Sequence, residues 1–485
     1  MDKAILDKYQ LVVGLEVHAQ LQTKSKAYAS DSTEFGQLPN TNISVITLAH
    51  PGALPKINKT VVEYAIKMGL ACHSDITRYN IYDRKNYFYP DLPKGYQVTQ
   101  DKTPICDGGY VEVAPKNGER RKIRLNRIHM EEDAGKSMHL EGETETLVDL
   151  NRAGVALIEI VSEPDIRTSE EAYSFLTEVR KLVRYLDICD GNMEEGSLRC
   201  DANISVMLKG ATEYGKKVEV KNMNSMRNVQ RAIEHEMERQ IEILENGGTI
   251  DSETRTFNAV DGSTAGMRSK ESLNDYRYFP EPDLPPLIVE KEWVDTIRAS
   301  MPSLPADLFK KFTEEFKLPE YDAQVLTDRK GVALFFEELC TKTSNYKAAS
   351  NWVMGPVKSY LNELTLHMAQ FPLSTDKIAE LIHLVEDNKV SFAIASKQLF
   401  PKLIEHPERN AEELAKELDL IHESNDDAII PMIEEVINKF PDKVAAYKAG
   451  KKNLLGMFMG EVMKMTKGKV DPKKANQLIR EILEK

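Results

Sequence analysis

Residues 12–21 read VVGLEVHAQL, and their alternation decides how the first half of the chain folds. Leu15 and Val17 are apolar, whereas Glu16 and His18 are polar. A period of two predicts a β-strand with one apolar face and one polar face. Because side chains two residues apart leave a strand on the same side, the carboxylate of Glu16 and the imidazole of His18 share that polar face.

Four further segments repeat this pattern of a charged face opposite an apolar one. They are residues 123–133, 148–161, 197–206 and 217–221. If these strands are neighbours, they form an antiparallel sheet with helices on its apolar side only. Its open face then carries Glu16, His18, Arg127, His129, Glu131, Asp133, Arg199, Asp201, Glu219 and Lys221.

The crowding of acidic groups on this face has two interpretations. Carboxylates this close repel one another unless a cation binds them, and Arg and Lys among them suit phosphate oxygens. A divalent metal held by Glu and His would then bind ATP, with Arg and Lys stabilising the transferred group. The alternative is a solvated face on which Arg199 and Lys221 form ion pairs with Asp201 and Glu219.

The length and composition of the chain exclude several classes of protein. Its 485 residues suggest about three domains, and 41% hydrophobic with 29% charged residues is typical of a globular protein. The sequence has no apolar run of membrane-spanning length, no signal-peptide core, no Walker motif and no strand-linked GxGxxG. Five cysteines without a CxxC pair favour reduced thiols in a cytoplasmic protein.

The chain changes character near residue 295, where the predicted strands stop. Residues 1–295 predict a domain built on the sheet, 296–407 a helical domain interrupted by prolines, and 408–485 a small helical unit. The net charge is −13, yet residues 441–485 hold eleven Lys or Arg against five Asp or Glu. This basic end is either a solvated helical face or a surface that binds a polyanion.

The order of the motifs gives a family resemblance that covers essentially the whole chain. The motifs are GLEVHAQL, NTN, HPGALP, DRKNYFYPDLPKGYQ, RIHMEEDAGK, DLNRAG, EPD, SLRCDANIS, VEVKNMNS, YFPEPDLPP and KNLLGMFMGEVMKMTKGKVDP. In this order they resemble the B subunits of the tRNA-dependent amidotransferases, which make Gln-tRNA or Asn-tRNA from mischarged precursors. The long motifs are highly specific, whereas the short ones mean little alone.

The resemblance implies an α+β fold, with a glutamine-synthetase-like catalytic domain on an antiparallel sheet, a helical domain and a helical tail. It implies a ligase that uses ATP and Mg²⁺ to phosphorylate the side-chain carboxylate of Glu-tRNA(Gln) or Asp-tRNA(Asn). Ammonia from a glutaminase, the A subunit of such complexes, then displaces the phosphate. A small C subunit joins the glutaminase to the B subunit. Such an enzyme is expected in the cytoplasm, away from the membrane.

The resemblance and the strand pattern together give three sets of expected site residues. The metal-binding positions are Glu16, His18, Glu131 and Glu219. The catalytic side chains are Lys94, Arg199, Asp201 and Lys221. The tRNA-binding side chains are Lys451, Lys452, Lys464, Lys467 and Lys469. They belong to the basic tail, where Gly456 and Gly460 would allow a neighbouring helix or nucleic acid to approach closely.

The loop from Ala27 to Pro55 departs from part of the family. Some members carry CxC and CxxC pairs there that bind zinc. The corresponding positions of this chain hold Ala29, Asp31, Ser44 and Thr47. We therefore expect no zinc, and a loop held by packing and hydrogen bonds.

Two other functions fit parts of the pattern. One is a stand-alone carboxylate–amine ligase that acts on a small acid, and the other is a non-catalytic tRNA-binding scaffold. The basic tail argues against the first, since a small-molecule ligase has no use for it. The charged strands argue against the second.

Overall fold

A computed structural model describes residues 2–484 except 117, 141, 143, 268–275, 422–425, 467–469 and 471. The chain divides into two compact units, Met1–Leu304 and Pro305–Lys485. The predicted three-domain division, with boundaries near 295 and 407, stays a prediction.

The first unit contains the strands. In the described part of the chain they are β1 (Tyr9–Gln20), β2 (Asp75–Ile76), β3 (Tyr79–Asn80), β4 (Asp83–Asn86), β5 (Tyr96–Thr99), β6 (Cys106–Asp107), β7 (Tyr110–Val113), β8 (Arg121–Glu132), β9 (Lys136–His139), β10 (Thr146–Asp149), β11 (Ala156–Ser162), β12 (Leu198–Leu208), β13 (Val218–Lys221), β14 (Thr254–Phe257), β15 (Thr264–Gly266), β16 (Arg277–Pro280) and β17 (Leu287–Ile288). The strand segment predicted over 148–161, with a break at Gly154, corresponds to β10 and β11, and Gly154 lies in a turn between them.

Helices occur in both units. They are α1 (Lys3–Leu6), α2 (Lys59–Ala71), α3 (Ser169–Tyr185), α4 (Met226–Glu245), α5 (Lys291–Ala299), α6 (Pro305–Lys310), α7 (Glu320–Leu326), α8 (Lys330–Leu339), α9 (Tyr346–Trp352), α10 (Lys358–Glu363), α11 (Thr375–Glu386), α12 (Phe392–Ile394), α13 (Phe400–Glu405), α14 (Ala411–Glu417), α15 (Asp426–Lys439), α16 (Pro441–Lys448), α17 (Leu455–Met465) and α18 (Pro472–Glu484). Short π-helical segments lie at Lys311–Glu315, Val353–Val357 and Ala395–Leu399, and 3₁₀ turns at Met368–Gln370 and Lys452–Leu454. Side chains of Thr168 and Ser225 cap the N-termini of α3 and α4.

The main sheet has the strand order β15-β14-β13-β12-β1-β11-β8-β6-β2, and β7 also pairs with β8. Smaller sheets join β9 with β10, β4 with β5 and β16, and β3 with β17. The prediction of an antiparallel sheet is wrong at one pairing, because β13 and β14 run parallel. The chain passes from β13 to β14 through α4, and such a crossover returns the second strand in the direction of the first. The sheet is therefore mixed.

The apolar face of the sheet packs against helices, as the alternation predicts. Leu15, Val17 and Ile204 from the strands belong to one buried apolar cluster with Phe175 of α3 and Ile233 of α4. Burial of these side chains provides the main driving force for folding of this unit. The charged side chains that alternate with them point to the other face.

The second unit has an apolar cluster near its end. Ile433 of α15, Phe458 and Val462 of α17 and Ile479 of α18 are buried in it. The apolar spacing of Leu455, Phe458, Met459 and Val462 predicts a helix over 453–464 with these side chains inward. This helix is confirmed by α17, in which Phe458 and Val462 are buried and Leu455 and Met459 are partly buried. Among the helices that the structure describes, none has the length and apolar character needed to cross a membrane.

Candidate active site

The sheet places the five charged strands side by side, in the order β13, β12, β1, β11 and β8. His18 on β1 lies opposite Glu159 on one side and Arg199 on the other. Glu159 in turn lies opposite His129 on β8. One row of side chains therefore crosses four strands on the open face, and the prediction that these strands are neighbours is confirmed.

His18, Glu131 and Glu159 form what we call the inner carboxylate group. One potential ligand atom from each lies within 4.8 Å of the others. The Nε2 atom of His18 is 3.6 Å from Oε2 of Glu159 and 4.0 Å from Oε2 of Glu131. Both glutamates are buried, so their charges require partners inside the protein.

Cationic side chains of the protein neutralise the inner carboxylate group. The Nε2 atom of His129 is 3.2 Å from Oε1 of Glu131 and 3.1 Å from Oε2 of Glu159. Burial lowers the pKa of His129, but hydrogen bonds to the two glutamates outweigh burial and raise the pKa to about 9. Lys85 Nζ lies 3.8 Å from Glu131 Oε1. Burial acts to raise the pKa of Glu131, yet Lys85 and then His129 hold it below its usual range.

Glu16, Asp201 and Glu219 form the outer carboxylate group, and their oxygens also approach within 4.8 Å. Lys221 Nζ donates to Asp201 Oδ2 at 2.5 Å and lies 2.8 Å from Glu219 Oε1. Asn203 Nδ2 donates to Glu16 Oε1 at 2.8 Å. All three carboxylates are half-buried, so solvent and ligands can reach them.

Glu16 has the most unfavourable electrostatic environment in the outer carboxylate group. Burial, and then the negative charges of Glu159 and Glu219, raise the pKa of Glu16. A bound cation would remove this penalty. Carboxylate oxygens are the ligands that Mg²⁺ prefers, so the residues present fit a magnesium ion. Such an ion would act as a Lewis acid on phosphoryl oxygens.

Arg199 and Lys94 make ion pairs at the margins of the two groups. Arg199 Nη2 donates to Asp133 Oδ2 at 3.0 Å. Lys94 Nζ donates to Oε1 of Glu132, and both residues line a cleft with Asp133. Because Glu132 follows Glu131 in β8, its side chain leaves the strand on the opposite side. Lys94 therefore contacts the neighbouring cleft.

The structure divides the predicted site residues rather than collecting them at one point. His18 and Glu131 belong to the inner carboxylate group, whereas Glu16, Glu219 and Asp201 belong to the outer one. Lys221 has the ion pairs that the solvated-face alternative expects, whereas Arg199 pairs with Asp133 in place of Asp201.

Glu159 is the main site residue that the sequence analysis missed. It lies in ALIEIVS, the sequence of β11, which is otherwise almost entirely apolar. Burying a single carboxylate inside such a run is unfavourable unless a cation pairs with it. The isolated Glu159 could therefore have indicated a buried charged site. Gln97 and Thr99 also donate to Glu131, at 3.3 Å and 2.9 Å.

Three of the five tail lysines expected to bind tRNA lie among the described residues. Lys451, Lys452 and Lys464 are exposed, while Lys467 and Lys469 lie outside the described residues. Lys452 Nζ is 4.3 Å from the ring centroid of Tyr447 and 3.6 Å from Glu484 Oε1. A Cβ atom on Gly456 or Gly460 would meet no described atom within 4 Å, which leaves room for a partner to approach α17.

The loop from Ala27 to Pro55 contains hydrogen bonds at Asp31, Ser44 and Thr47, three of the positions at which we expect no zinc. Asp31 Oδ2 accepts from Ser44 Oγ at 2.9 Å and also from Thr47 Oγ1. The buried Lys26 donates to the backbone carbonyl of Asn42 at 2.7 Å. Burial lowers the pKa of Lys26 to about 8, although Asp31 acts to raise it. Polar contacts therefore link the two halves of this loop.

Comparison with known proteins gives one consistent result. The GatB/GatE catalytic domain family matches residues 11–295, and the GatB domain family matches residues 334–483. Similar proteins include those of Pelodictyon phaeoclathratiforme (49% identical over 98% of this chain and 100% of the relative) and Caldicellulosiruptor saccharolyticus (47%, 99% and 100%). A protein of Thermodesulfovibrio yellowstonii is 46% identical over 98% of this chain and 99% of its own length. Each is named as the B subunit of an aspartyl/glutamyl-tRNA(Asn/Gln) amidotransferase, and the chain belongs to this family of amidotransferase B subunits.

Proposed function

We propose that this chain activates the side-chain carboxylate of Glu-tRNA(Gln), Asp-tRNA(Asn) or both by phosphorylation from ATP, and then forms the amide with ammonia. The observation that carries the proposal is the pair of carboxylate groups on one open sheet face, with Lys221 and Arg199 beside them. The relatives, named for this amidotransferase, support the choice of substrate. The sheet unit is proposed to be a glutamine-synthetase-like catalytic domain.

The chemistry requires activation because a carboxylate does not accept ammonia directly. A carboxylate oxygen of the substrate attacks the γ-phosphorus of ATP, and ADP leaves. Ammonia then adds to the acyl carbon, phosphate leaves, and the nitrogen loses a proton. The substrate carboxylate and the γ-phosphate of ATP are both negatively charged and must approach each other in the first step. The site therefore has to supply positive charge.

The proposed metal and phosphate ligands follow from positions on the open face. Glu16 and Glu219, with His18 and Glu131, would hold magnesium, and Glu159 joins this set. Lys221, oriented by its hydrogen bond to Asp201, and the guanidinium fork of Arg199 would contact phosphate oxygens. Lys94, in the cleft with Glu132, would contact the acyl substrate.

The proposed complex contains two partners. A glutaminase (the A subunit) would supply ammonia, and a small C subunit would join the glutaminase to this chain. Magnesium and ATP are the proposed cofactor and co-substrate. The loop from Ala27 to Pro55 is proposed to bind no zinc. Elemental analysis of the purified protein should therefore find no zinc in stoichiometric amount. One zinc per chain would contradict this.

ADP release by the native complex tests the proposed function. The assay offers Glu-tRNA(Gln), Asp-tRNA(Asn), uncharged tRNA and free glutamate in turn, with ATP and Mg²⁺. The expected result is ADP release with a charged tRNA, and none with uncharged tRNA or free glutamate. Release with free glutamate would favour the small-acid ligase, and no release with any charged tRNA would favour the scaffold.

The tail is proposed to bind the tRNA body through its lysines. Lys451, Lys452 and Lys464 are exposed on one segment of a chain whose net charge is −13. Changing all three to Gln should weaken tRNA binding and reduce the salt dependence of log K by about 0.9 for each lost phosphate contact. Lys310→Gln, an exposed lysine of α6, is the control. An unchanged affinity and salt slope in the triple variant would contradict the proposal.

A further inference from the structure

The outer carboxylate group includes one residue of a row that crosses four strands of the sheet. Gly14 of β1 pairs with Asn203 of β12. Asn203 pairs in turn with Glu219 of β13, and Glu219 with Thr254 of β14. Residues paired across neighbouring strands share a face of the sheet. Asn203 and Thr254 therefore lie on the open face, on either side of a carboxylate of the outer group.

The amide of Asn203 contacts Glu16 on the neighbouring strand. Gly14, the residue directly opposite Asn203, has no side chain, and Glu16 follows Gly14 on the same face of β1. Asn203 Nδ2 donates to Glu16 Oε1 at 2.8 Å, which is a normal hydrogen-bond length. Among the described residues, none donates a hydrogen bond to the other oxygen, Oε2. Asn203 therefore holds one oxygen of Glu16 and leaves the second for a ligand.

Thr254 holds the second carboxylate, that of Glu219, from the neighbouring strand. Its Oγ1 atom donates to Glu219 Oε2 at 2.9 Å, while Lys221 Nζ lies 2.8 Å from Oε1 of the same carboxylate. The hydroxyl is neutral, so it orients the carboxylate without cancelling its charge, whereas the ammonium of Lys221 does cancel it. A metal ion that displaces Lys221 would meet a carboxylate already oriented by Thr254.

A buried polar network on the other face of β14 anchors the strand that carries Thr254. Arg255, the next residue, leaves the strand on the opposite side. Arg255 Nε donates to Thr264 Oγ1 at 2.9 Å, and Nη1 donates to Glu253 Oε1 at 2.7 Å. Thr264 Oγ1 donates to Glu236 Oε2 at 3.0 Å, and this glutamate of α4 is fully buried. The hydroxyl of Thr254 is therefore presented by a strand that is fixed to the helix beneath it.

We propose that Asn203 and Thr254 are positioning residues of the outer metal site, each holding one carboxylate in the orientation that binds the ion. The proposal rests on the proposed function, which places magnesium at Glu16 and Glu219. Ligands in protein metal sites are themselves hydrogen-bonded, and loss of such a partner typically weakens metal binding about 10- to 100-fold. Neutral donors suit this role, since a cationic donor competes with the ion for the carboxylate.

Equilibrium binding of Mn²⁺ to the native complex, without ATP or tRNA, measures the proposed effect. Thr254→Val keeps the shape of the side chain but loses the donor, and should raise the dissociation constant about tenfold or more. Thr254→Ser retains the hydroxyl and should bind Mn²⁺ as the wild type does. Thr256→Val is the matched control and should also bind normally. Thr256 lies on the same face of β14, but its hydroxyl accepts from Asn222 Nδ2 and contacts no carboxylate of the outer group among the described residues.

A double-mutant cycle separates positioning from a general structural effect. Asn203→Leu should raise the Mn²⁺ dissociation constant about tenfold or more, and should raise it little further in a Glu16→Gln background. Thr254→Val should likewise have little further effect in a Glu219→Gln background. If the losses instead multiply in the double variants, Asn203 and Thr254 do not act through these carboxylates, and the proposal is overturned.

The remaining outcomes are distinguishable from one another. Unchanged Mn²⁺ affinity in a folded Asn203→Leu or Thr254→Val variant would overturn the proposal for that residue. Asn203→Leu, on a different strand, decides the question should Thr254→Val not fold. Mn²⁺ binding that Glu16→Gln does not weaken would remove the metal site on which the proposal depends. Failure of the proposed function would instead appear as no ADP release with any charged tRNA, whatever the Mn²⁺ data show.

Discussion

The inner and outer carboxylate groups occupy one face of the same sheet, but the protein neutralises them differently. In the inner group, the buried Glu131 and Glu159 face two cations, His129 and Lys85. In the outer group, three half-buried carboxylates surround one described cation, Lys221. The protein's own cations balance the charge of the inner group, whereas the outer group has an excess of negative charge.

This difference gives the inner group a structural task in addition to its proposed part in metal binding. The buried ion pairs join β4, β8 and β11, and removing one partner leaves a charge in the interior. The outer group, with the raised pKa of Glu16, gains most from a cation that comes from solution. We therefore assign the stronger metal and phosphate site to the outer group.

The largest expected effect is on stability. Glu131→Gln leaves His129 and Lys85 without their shared carboxylate and should lower the free energy of unfolding by about 3–5 kcal/mol. Glu16→Gln removes a carboxylate that burial and its neighbours disfavour, so it should be neutral or stabilising. Urea unfolding of the two variants measures both. Equal destabilisation by the two changes would remove the distinction between the groups.

The next effect is on catalysis. Glu16→Gln should reduce tRNA amidation by about a hundredfold or more, since a donor to the proposed metal is lost. Glutamine hydrolysis should continue, because the proposed glutaminase subunit carries it out. Glu131→Gln should also abolish amidation, but this variant should be less stable as well. Normal amidation in Glu16→Gln would contradict the assignment of the outer group.

A smaller effect is a pH dependence confined to the inner group. The pKa of His129 is raised to about 9 in the folded chain from 6.5. Its contribution to stability is therefore complete below about pH 6.5 and is lost as pH rises through 9, with an upper bound of about 3 kcal/mol. The measurement is unfolding in metal-free buffer, as the difference between wild type and His129→Gln. That difference should shrink from pH 6.5 to 9, and a constant difference would contradict the ion pairs.

The smallest effect concerns the cations of the outer face. Arg199→Lys keeps the charge but loses the planar fork, and should raise the KM for ATP about tenfold. Lys221→Met should also weaken the use of ATP while strengthening metal binding, because a competing ammonium is removed. Titration with Mn²⁺ and initial rates separate the two consequences. An unchanged ATP dependence in both variants would support the solvated-face interpretation.

Most of the predictions of shared faces came from the alternation of polar and apolar residues along single strands. Glu16 and His18 share a face because of the geometry of one strand, and His129 and Glu131 do so on β8. The division into inner and outer groups could not be predicted in this way. It depends on the register between strands far apart in sequence, such as Glu16 opposite Asp201.

The failures have equally local reasons. Glu159 was missed because it lies in an otherwise apolar run. The parallel pairing of β14 was missed because it follows from a helical crossover, which the alternation of residues along a strand does not predict. Lys94 was expected to reach the site from its loop as a presented cation, and its catalytic role stays a prediction. Its partner proved to be Glu132, and the neighbouring carboxylate Glu131 points to the opposite side of the same strand.

The most direct test of the central claim is trapping of the activated carboxylate. The complex is given Glu-tRNA(Gln) or Asp-tRNA(Asn), ATP and Mg²⁺ without glutamine or ammonia, and hydroxylamine is added to capture the acyl phosphate as a hydroxamate. The account predicts tRNA-linked side-chain hydroxamate and an equal amount of ADP from the wild-type complex, and neither from Glu16→Gln. Hydroxamate formed at the wild-type rate by Glu16→Gln would contradict it.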